Sequence, residues 1–229
     1  MSSGGPIVVV LSGSAGAANS PGNFSGSKAV PVDPPDPKPA HESRVLAPKD
    51  GTELVMARQR LTDWCWDAVA VWAHNLLNPE SPWTPDELAT RVLQDEGQIG
   101  ESDDCSKMLN RCNVPEALDV ALKATGNLDQ TLPGQYLTFS SIVAQIKAGY
   151  PVGARIAWFG GGAHFVAVDG YRDFGALGQQ VHVQDPLRGP GLLDYNVFVS
   201  NYPPGGSWND TYLMKVAKPA ESRVATGLG

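Results

Sequence analysis

Between Asp63 and Leu77 apolar residues fall on nearly every helical face, through Trp64-Cys65-Trp66 and Ala68-Val69-Ala70-Val71-Trp72. All-round apolarity predicts a helix buried at the centre of a core, with Asp63 placed to cap it. Thr84-Pro85-Asp86-Glu87 reads as a capping box with proline at the first helical position, opening a helix to about Gln94. Further helices are expected over Pro115–Ala124 and Ser140–Ala148, the latter stopped by Gly149 and Pro151. Beyond Gly149 the period changes. Val152–Trp158, His164–Tyr171, Val181–Gln184, Leu192–Phe198 and Thr211–Val216 read as strands between Gly, Pro, Asp and Asn. Helices first and strands second predict an α+β fold, a helical half packed on an antiparallel sheet half.

Composition sets the limits of that domain. Residues 1–44 hold six Gly, seven Pro and eight Ser and read as a disordered leader. A globular domain is expected over 45–217, followed by a flexible tail at 218–229. The leader's charges cancel (Lys28, Lys38 and Arg44 against Asp33, Asp36 and Glu42), so the net charge of −7 belongs to the folded part. That charge argues against nucleic acid as a partner. The longest aliphatic run, Ile7 to Leu11, falls far short of the ~18 apolar residues of a membrane span. No Lys or Arg precedes it, so a secretory signal is not expected. Three cysteines exclude a disulfide framework and a four-thiolate zinc site, and their odd number leaves a thiol free. Neither metal nor cofactor is expected. Cys105 and Cys112 lie ~10.5 Å apart if their segment is helical, too far to bridge, but a loop would allow them to pair. The acidic run Asp95, Glu96, Glu101, Asp103 and Asp104 reads as a solvated face, with a basic partner as the alternative.

Four residues could carry chemistry. Cys65 lies in the first turn of the buried helix, where the positive end of the helix dipole favours a thiolate. A structural core cysteine is the plain alternative. His164 opens a strand after Gly160-Gly161-Gly162-Ala163, and Asp185 ends the next strand before Pro186. Alone, the one reads as a structural histidine and the other as an Asp-Pro turn. Antiparallel neighbours would bring them together, the carboxylate orienting the imidazole. Gln59, six residues before Cys65, could donate a side-chain N–H to a developing oxyanion. His74 and His182 are expected to be structural.

Gln59-x5-Cys65-Trp66, His164-Phe165-Val166-Ala167-Val168-Asp169-Gly170-Tyr171 and Asp185, in that order, resemble the papain-like cysteine peptidases of clan CA. Trp64-Cys65-Trp66, Cys112-Asn113-x-Pro115, Gly161-Gly162-Ala163-His164-Phe165 and Gly206-Ser207-Trp208 are similar to the compact bacterial branch that includes plant-pathogen avirulence effectors. The resemblance covers roughly residues 52–216. It implies a papain-like fold and an endopeptidase acting on protein or peptide substrates through a thioester. Cys65 would be the nucleophile, His164 the base and acid, Asp185 the orienter and Gln59 the oxyanion donor. It also implies export without a classical signal peptide, with a cytoplasmic location as the alternative. A host activating factor is a second partner to consider, and the leader a site of self-cleavage. Two positions depart from the pattern. Asp67 replaces a usual alanine but should face away from the thiol, about 200° around the helix. Leu187 stands where relatives carry an aromatic shield over the His–Asp pair. A transglutaminase-like acyltransferase or deamidase, and an inactive peptidase fold used for binding, remain the alternatives.

Overall fold

The structure is a computed structural model and describes residues 7–9, 42–48, 51–52 and 54–218. Most of the span read as leader, and the tail from residue 219, lie outside the described residues. The described chain has the expected α+β, papain-like architecture. Six helices, α1 (Cys65–Leu77), α2 (Pro85–Asp95), α3 (Leu109–Cys112), α4 (Leu118–Ala124), α5 (Phe139–Ala148) and α6 (Tyr195–Ser200), join one antiparallel sheet. Its strands are β1 (Ile7–Val9), β2 (Glu42–Ala47), β3 (Leu128–Leu132), β4 (Val152–Trp158), β5 (Ala163–Asp173), β6 (Gln179–Gln184), β7 (Gly191–Asp194) and β8 (Gly206–Met214). The order is β1-β2-β5-β4-β8-β3, with β6 pairing β5 and β7 pairing β6. The strand β5 is the hub. Its first half pairs with β4, while Gly170 in its second half lies between Val45 of β2 and His182 of β6.

Helix α1 is the axle of the core, packed against α2 and α4 on one side and β5 on the other. Its side chains from Trp66 through Leu77 are buried except at Ala68 and Asn75, as its apolarity requires. His74 lies inside because both ring nitrogens are satisfied, Nδ1 by Asn127 Oδ1 at 2.7 Å and Nε2 by the Ser81 carbonyl at 3.0 Å. The start of α1 departs from expectation: Trp64, not Asp63, occupies the cap position, with no side-chain cap bond. Tertiary tethers replace the cap. The Trp64 indole donates to the Cys112 carbonyl (2.7 Å), the Trp66 indole to the Val114 carbonyl (3.0 Å), and Asn113 Oδ1 accepts from the Asp63 backbone N–H (3.0 Å).

Other elements follow the sequence with shifted ends. The capping box opens α2 as read, the Thr84 N–H donating to Glu87 Oε2 at 3.0 Å. Gly149 ends α5 in the left-handed region, φ 91°. Helix α4 starts three residues later than its Pro115 signal, because the Val114 carbonyl is drawn to Trp66 and Ala117 stays extended. The expected strand over Leu192–Phe198 is corrected. Pairing with β6 ends at Asp194, whose carboxylate accepts from the Asn196 and Val197 amides and starts α6. Strand β8 begins at Gly206 rather than Thr211. A Cβ at Gly206 would lie 2.7 Å from both Ile156 and Trp158, so only glycine lets β8 approach β4 there. Residues 42–44, read as leader, open β2, and Ile7–Val9 pairs with it.

Cys105 and Cys112 form a disulfide with a Cα–Cα distance of 5.6 Å, which settles the open question of their pairing. Residues 101–108 are turns and irregular chain, and only the last four residues of the segment are helical, so the chain folds back on itself. The acidic run is paired locally at the surface, Asp95 with Arg91, Asp103 with Arg111 and Asp104 with Lys107. Replacing both cysteines in a Cys105→Ser/Cys112→Ser variant should lower stability by about 2–3 kcal/mol, the loop-closure value for so short a ring. Urea unfolding followed by tryptophan fluorescence measures it. An unchanged midpoint would mean the Trp64 and Asn113 bonds hold the segment unaided.

Candidate active site

Cys65 is the first residue of α1, partly exposed, and its thiol is free. Backbone amides at a helix start have no intrahelical acceptor, so the thiol sits among unpaired N–H groups and the positive end of the dipole. His164 is the second residue of β5 and Asp185 the first beyond β6. Register brings them together: Gln184 lies opposite Ala167, so continuing β6 runs Asp185 back toward His164. His164 Nε2 and Asp185 Oδ1 are 2.8 Å apart, both residues buried. That bond leaves Nδ1 to the other side-chain partner of His164, Cys65.

The carboxylate is fully engaged. Asp185 Oδ1 also accepts from the Leu187 N–H at 2.7 Å and the Arg188 N–H at 3.3 Å, while the Tyr202 hydroxyl donates to Oδ2 at 2.7 Å. Trp158 lies flat against the His164 ring, 5.8 Å between centroids and 12° from parallel, and its other neighbour is Tyr202. The shield over the His–Asp pair is therefore built from Trp158 and Tyr202. Leu187 is 45% exposed at the cleft rim and contributes only its backbone N–H. Neither shielding residue was singled out from the sequence. The hairpin closed by Trp158 N–H donating to the Gly162 carbonyl could have flagged Trp158, whereas Tyr202 follows α6 and carries no local signal.

The electrostatics follow from this packing. Burial alone would lower the pKa of His164, but hydrogen bonds and charge from Asp185 and Cys65 push it up to about 9. Burial would raise the Asp185 carboxyl, yet the His164 bond and charge, the Tyr202 hydroxyl and the Leu187 N–H hold it below the usual carboxylate range. A cleft of about 560 Å³ opens over Cys65 and His164, with Trp66, Trp158 and Phe165 in its walls. Residues 52–210 match the Peptidase_C39 like family. The chain belongs to that family. It is thereby a hydrolase of cysteine-peptidase type, and the matched span holds Gln59, Cys65, His164 and Asp185. No curated protein matches the chain.

Within this C39-like domain Gln59 takes a position its sequence reading did not anticipate. Its Nε2 donates to the Leu61 carbonyl at 2.9 Å and the Thr62 carbonyl at 2.7 Å, so the amide faces its own loop. The backbone N–H of Gln59 donates to the Pro186 carbonyl at 3.0 Å, tying this loop to the turn that carries Asp185. Asp67 is absent from the cleft lining, as its place on the helix requires. Among the described residues no group of His, Cys, Asp and Glu has the arrangement of a metal site, and no helix is long and apolar enough to cross a membrane.

Two outcomes follow from this C39-like site. The stabilisation that His164 gains from its partners is complete below its ordinary 6.5 and fades as pH rises through about 9. Wild type should therefore lose more stability than His164→Gln between pH about 6 and about 10 in urea titrations. Tyr202→Phe removes one donor from a buried carboxylate and should cost about 1–3 kcal/mol by the same measurement. A wild-type midpoint would mean that water replaces the hydroxyl.

Proposed function

We propose that this domain is a cysteine endopeptidase that hydrolyses protein or peptide amide bonds through a thioester on Cys65. One observation carries the reading: a buried His164–Asp185 bond uses Nε2, so the remaining ring nitrogen serves a free thiol at a helix N-terminus inside an open cleft. His164 Nδ1 takes the cysteine proton as the sulfur attacks the scissile carbonyl carbon. As the C–S bond forms, the carbonyl π pair moves onto oxygen, and the oxyanion accepts from the Cys65 backbone N–H. Gln59 joins when its Nε2 exchanges the Thr62 carbonyl for this oxygen. Collapse re-forms the carbonyl and breaks the C–N bond, and the leaving amine takes the proton from His164. Water then loses a proton to His164 and adds to the thioester. The second collapse releases the acid, and the sulfur recovers the proton. Asp185 holds the imidazole in orientation and stabilises its charged form throughout.

The wider reading is a bacterial effector that works outside the cytosol. The disulfide Cys105–Cys112 supports such a compartment, since intracellular thiols are kept reduced. Protein or peptide substrates, with a host activating factor as a second partner, complete the proposal. The chain's own leader is a candidate substrate, and gel mobility of wild type against Cys65→Ala tests it.

An epoxide thiol probe should add one mass equivalent to wild type and none to Cys65→Ala. Peptide cleavage should fall by at least about 10³-fold in Cys65→Ala and in His164→Ala, as loss of a nucleophile or its base dictates. Equal labelling of wild type and Cys65→Ala would overturn the proposal. Ammonia release from glutamine substrates without chain cleavage would replace it with the acyl-transfer chemistry of a transglutaminase-like enzyme.

A further inference from the structure

Behind the nucleophile, on the side of α1 away from the cleft, lies a second cavity of about 130 Å³. Gln59, Arg58 and Arg60 of the incoming loop line it together with Asp67, Val71 and Trp72 of α1. Two of these side chains end in buried oxygens without a hydrogen-bond partner among the described residues, Gln59 Oε1 and Asp67 Oδ1. Asp67 is 1% exposed, two residues beyond Cys65. An ionised carboxylate with a bare oxygen at that depth is strongly disfavoured, and an amide carbonyl with no donor adds its own desolvation penalty. A carboxylic acid, unlike a carboxylate, has a hydrogen to give. One proton on Asp67 supplies the missing donor and removes the buried charge together.

We propose that Asp67 stands as a neutral carboxylic acid and donates its proton to Gln59 Oε1, so that it is the positioning residue for the Gln59 amide. The electrostatics of the cavity agree. Burial, reinforced by the nearby Asp86 carboxylate, holds the Asp67 carboxyl well above the usual carboxylate range, against the opposing guanidinium of Arg60. Arg60 is itself committed to an ion pair with Asp86, and Arg58 is an exposed residue on the same loop. The consequence reaches the reaction through Gln59 alone. With its carbonyl end held from behind, the amide keeps its plane while Nε2 leaves the Thr62 carbonyl for the oxyanion. An ionised Asp67 would repel the same carbonyl and set a negative charge in the first turn behind the Cys65 thiolate. Neutrality also answers why a carboxyl is tolerated at a position where alanine would do. The inference rests on the proposed peptidase chemistry for its effect on rate, but not for the protonation state itself.

Infrared difference spectra of wild type against Asp67→Asn at neutral pH read that state directly. A protonated carboxylic C=O band should appear in wild type and, equally, in Cys65→Ala against the matching double variant. Its absence would show an ionised Asp67 and overturn the proposal whatever the activity. Rate supplies the second readout. Asp67→Leu keeps the branched outline but leaves Gln59 Oε1 without a donor, and kcat should fall about tenfold, part of the 10²–10³ that one oxyanion donor carries. KM should change by less than about twofold, since the contact matters only in the transition state. Asp67→Asn offers an amide N–H in place of the hydroxyl and should recover kcat to within about threefold of wild type. Because only the leucine leaves Gln59 Oε1 without a donor, Asp67→Leu should melt below Asp67→Asn. A merely structural Asp67 would shift the melting temperature and leave kcat unchanged, and that result overturns the proposal. Activity that survives Cys65→Ala would instead overturn the peptidase reading and leave the infrared band standing.

Discussion

The 2.8 Å bond between His164 and Asp185 is the contact around which the site is arranged. A histidine and a carboxylate both taken out of water are tolerated only if every lone pair and proton finds a partner. That requirement explains what surrounds them. Two backbone amides and the Tyr202 hydroxyl saturate Asp185, and Trp158 covers the imidazole face. It also explains the lopsided topology. His164 opens the longest strand, and β6 must pair with that strand in one register for Asp185 to arrive at the same end. A slip of one residue would send the carboxylate to the other face of the sheet.

The nucleophile imposes an opposing demand. Cys65 has to meet substrate, yet it belongs to a helix buried along nearly its whole length. The solution is to end the helix at the cleft and hold its first turn from outside. Two indole N–H groups and one asparagine do so, all reaching the segment just past the disulfide. The side of α1 turned from the cleft has a separate cavity, where Asp67 and Gln59 meet the same rule of polar satisfaction by a shared proton. The helical half thus fixes where the sulfur sits, and the sheet half fixes the base. The loop from Gln59 touches both, through its bond to the Pro186 carbonyl.

Much of this was legible where chemistry is local. The capping box at Thr84, the glycine stop at Gly149 and the all-round apolarity of α1 each act within a few residues, and each appears where expected. Cys65, His164 and Asp185 stood out because residue type, element ends and chain order pointed the same way. Errors concentrate where distant partners override neighbours. Asp63 is a good cap by type, but its backbone is claimed by Asn113. Leu192–Phe198 looks like one strand until the Asp194 carboxylate turns the chain into a helix. β2 lay at the edge of a Gly/Pro/Ser-rich stretch and β3 has a weak apolar pattern, so neither showed until a neighbouring strand was in view.

Residue order alone therefore carried the α+β class, the depth of α1 and the expectation that Cys65, His164 and Asp185 act together. Each depends on periodicity, on short-range hydrogen bonding or on the intrinsic reactivity of a side chain. The pairing of Cys105 with Cys112, the Trp158 and Tyr202 shield, the direction of the Gln59 amide and the isolation of Asp67 belong to the folded chain. They depend on which atoms are brought within bonding reach, and on which are cut off from water, by segments tens of residues away.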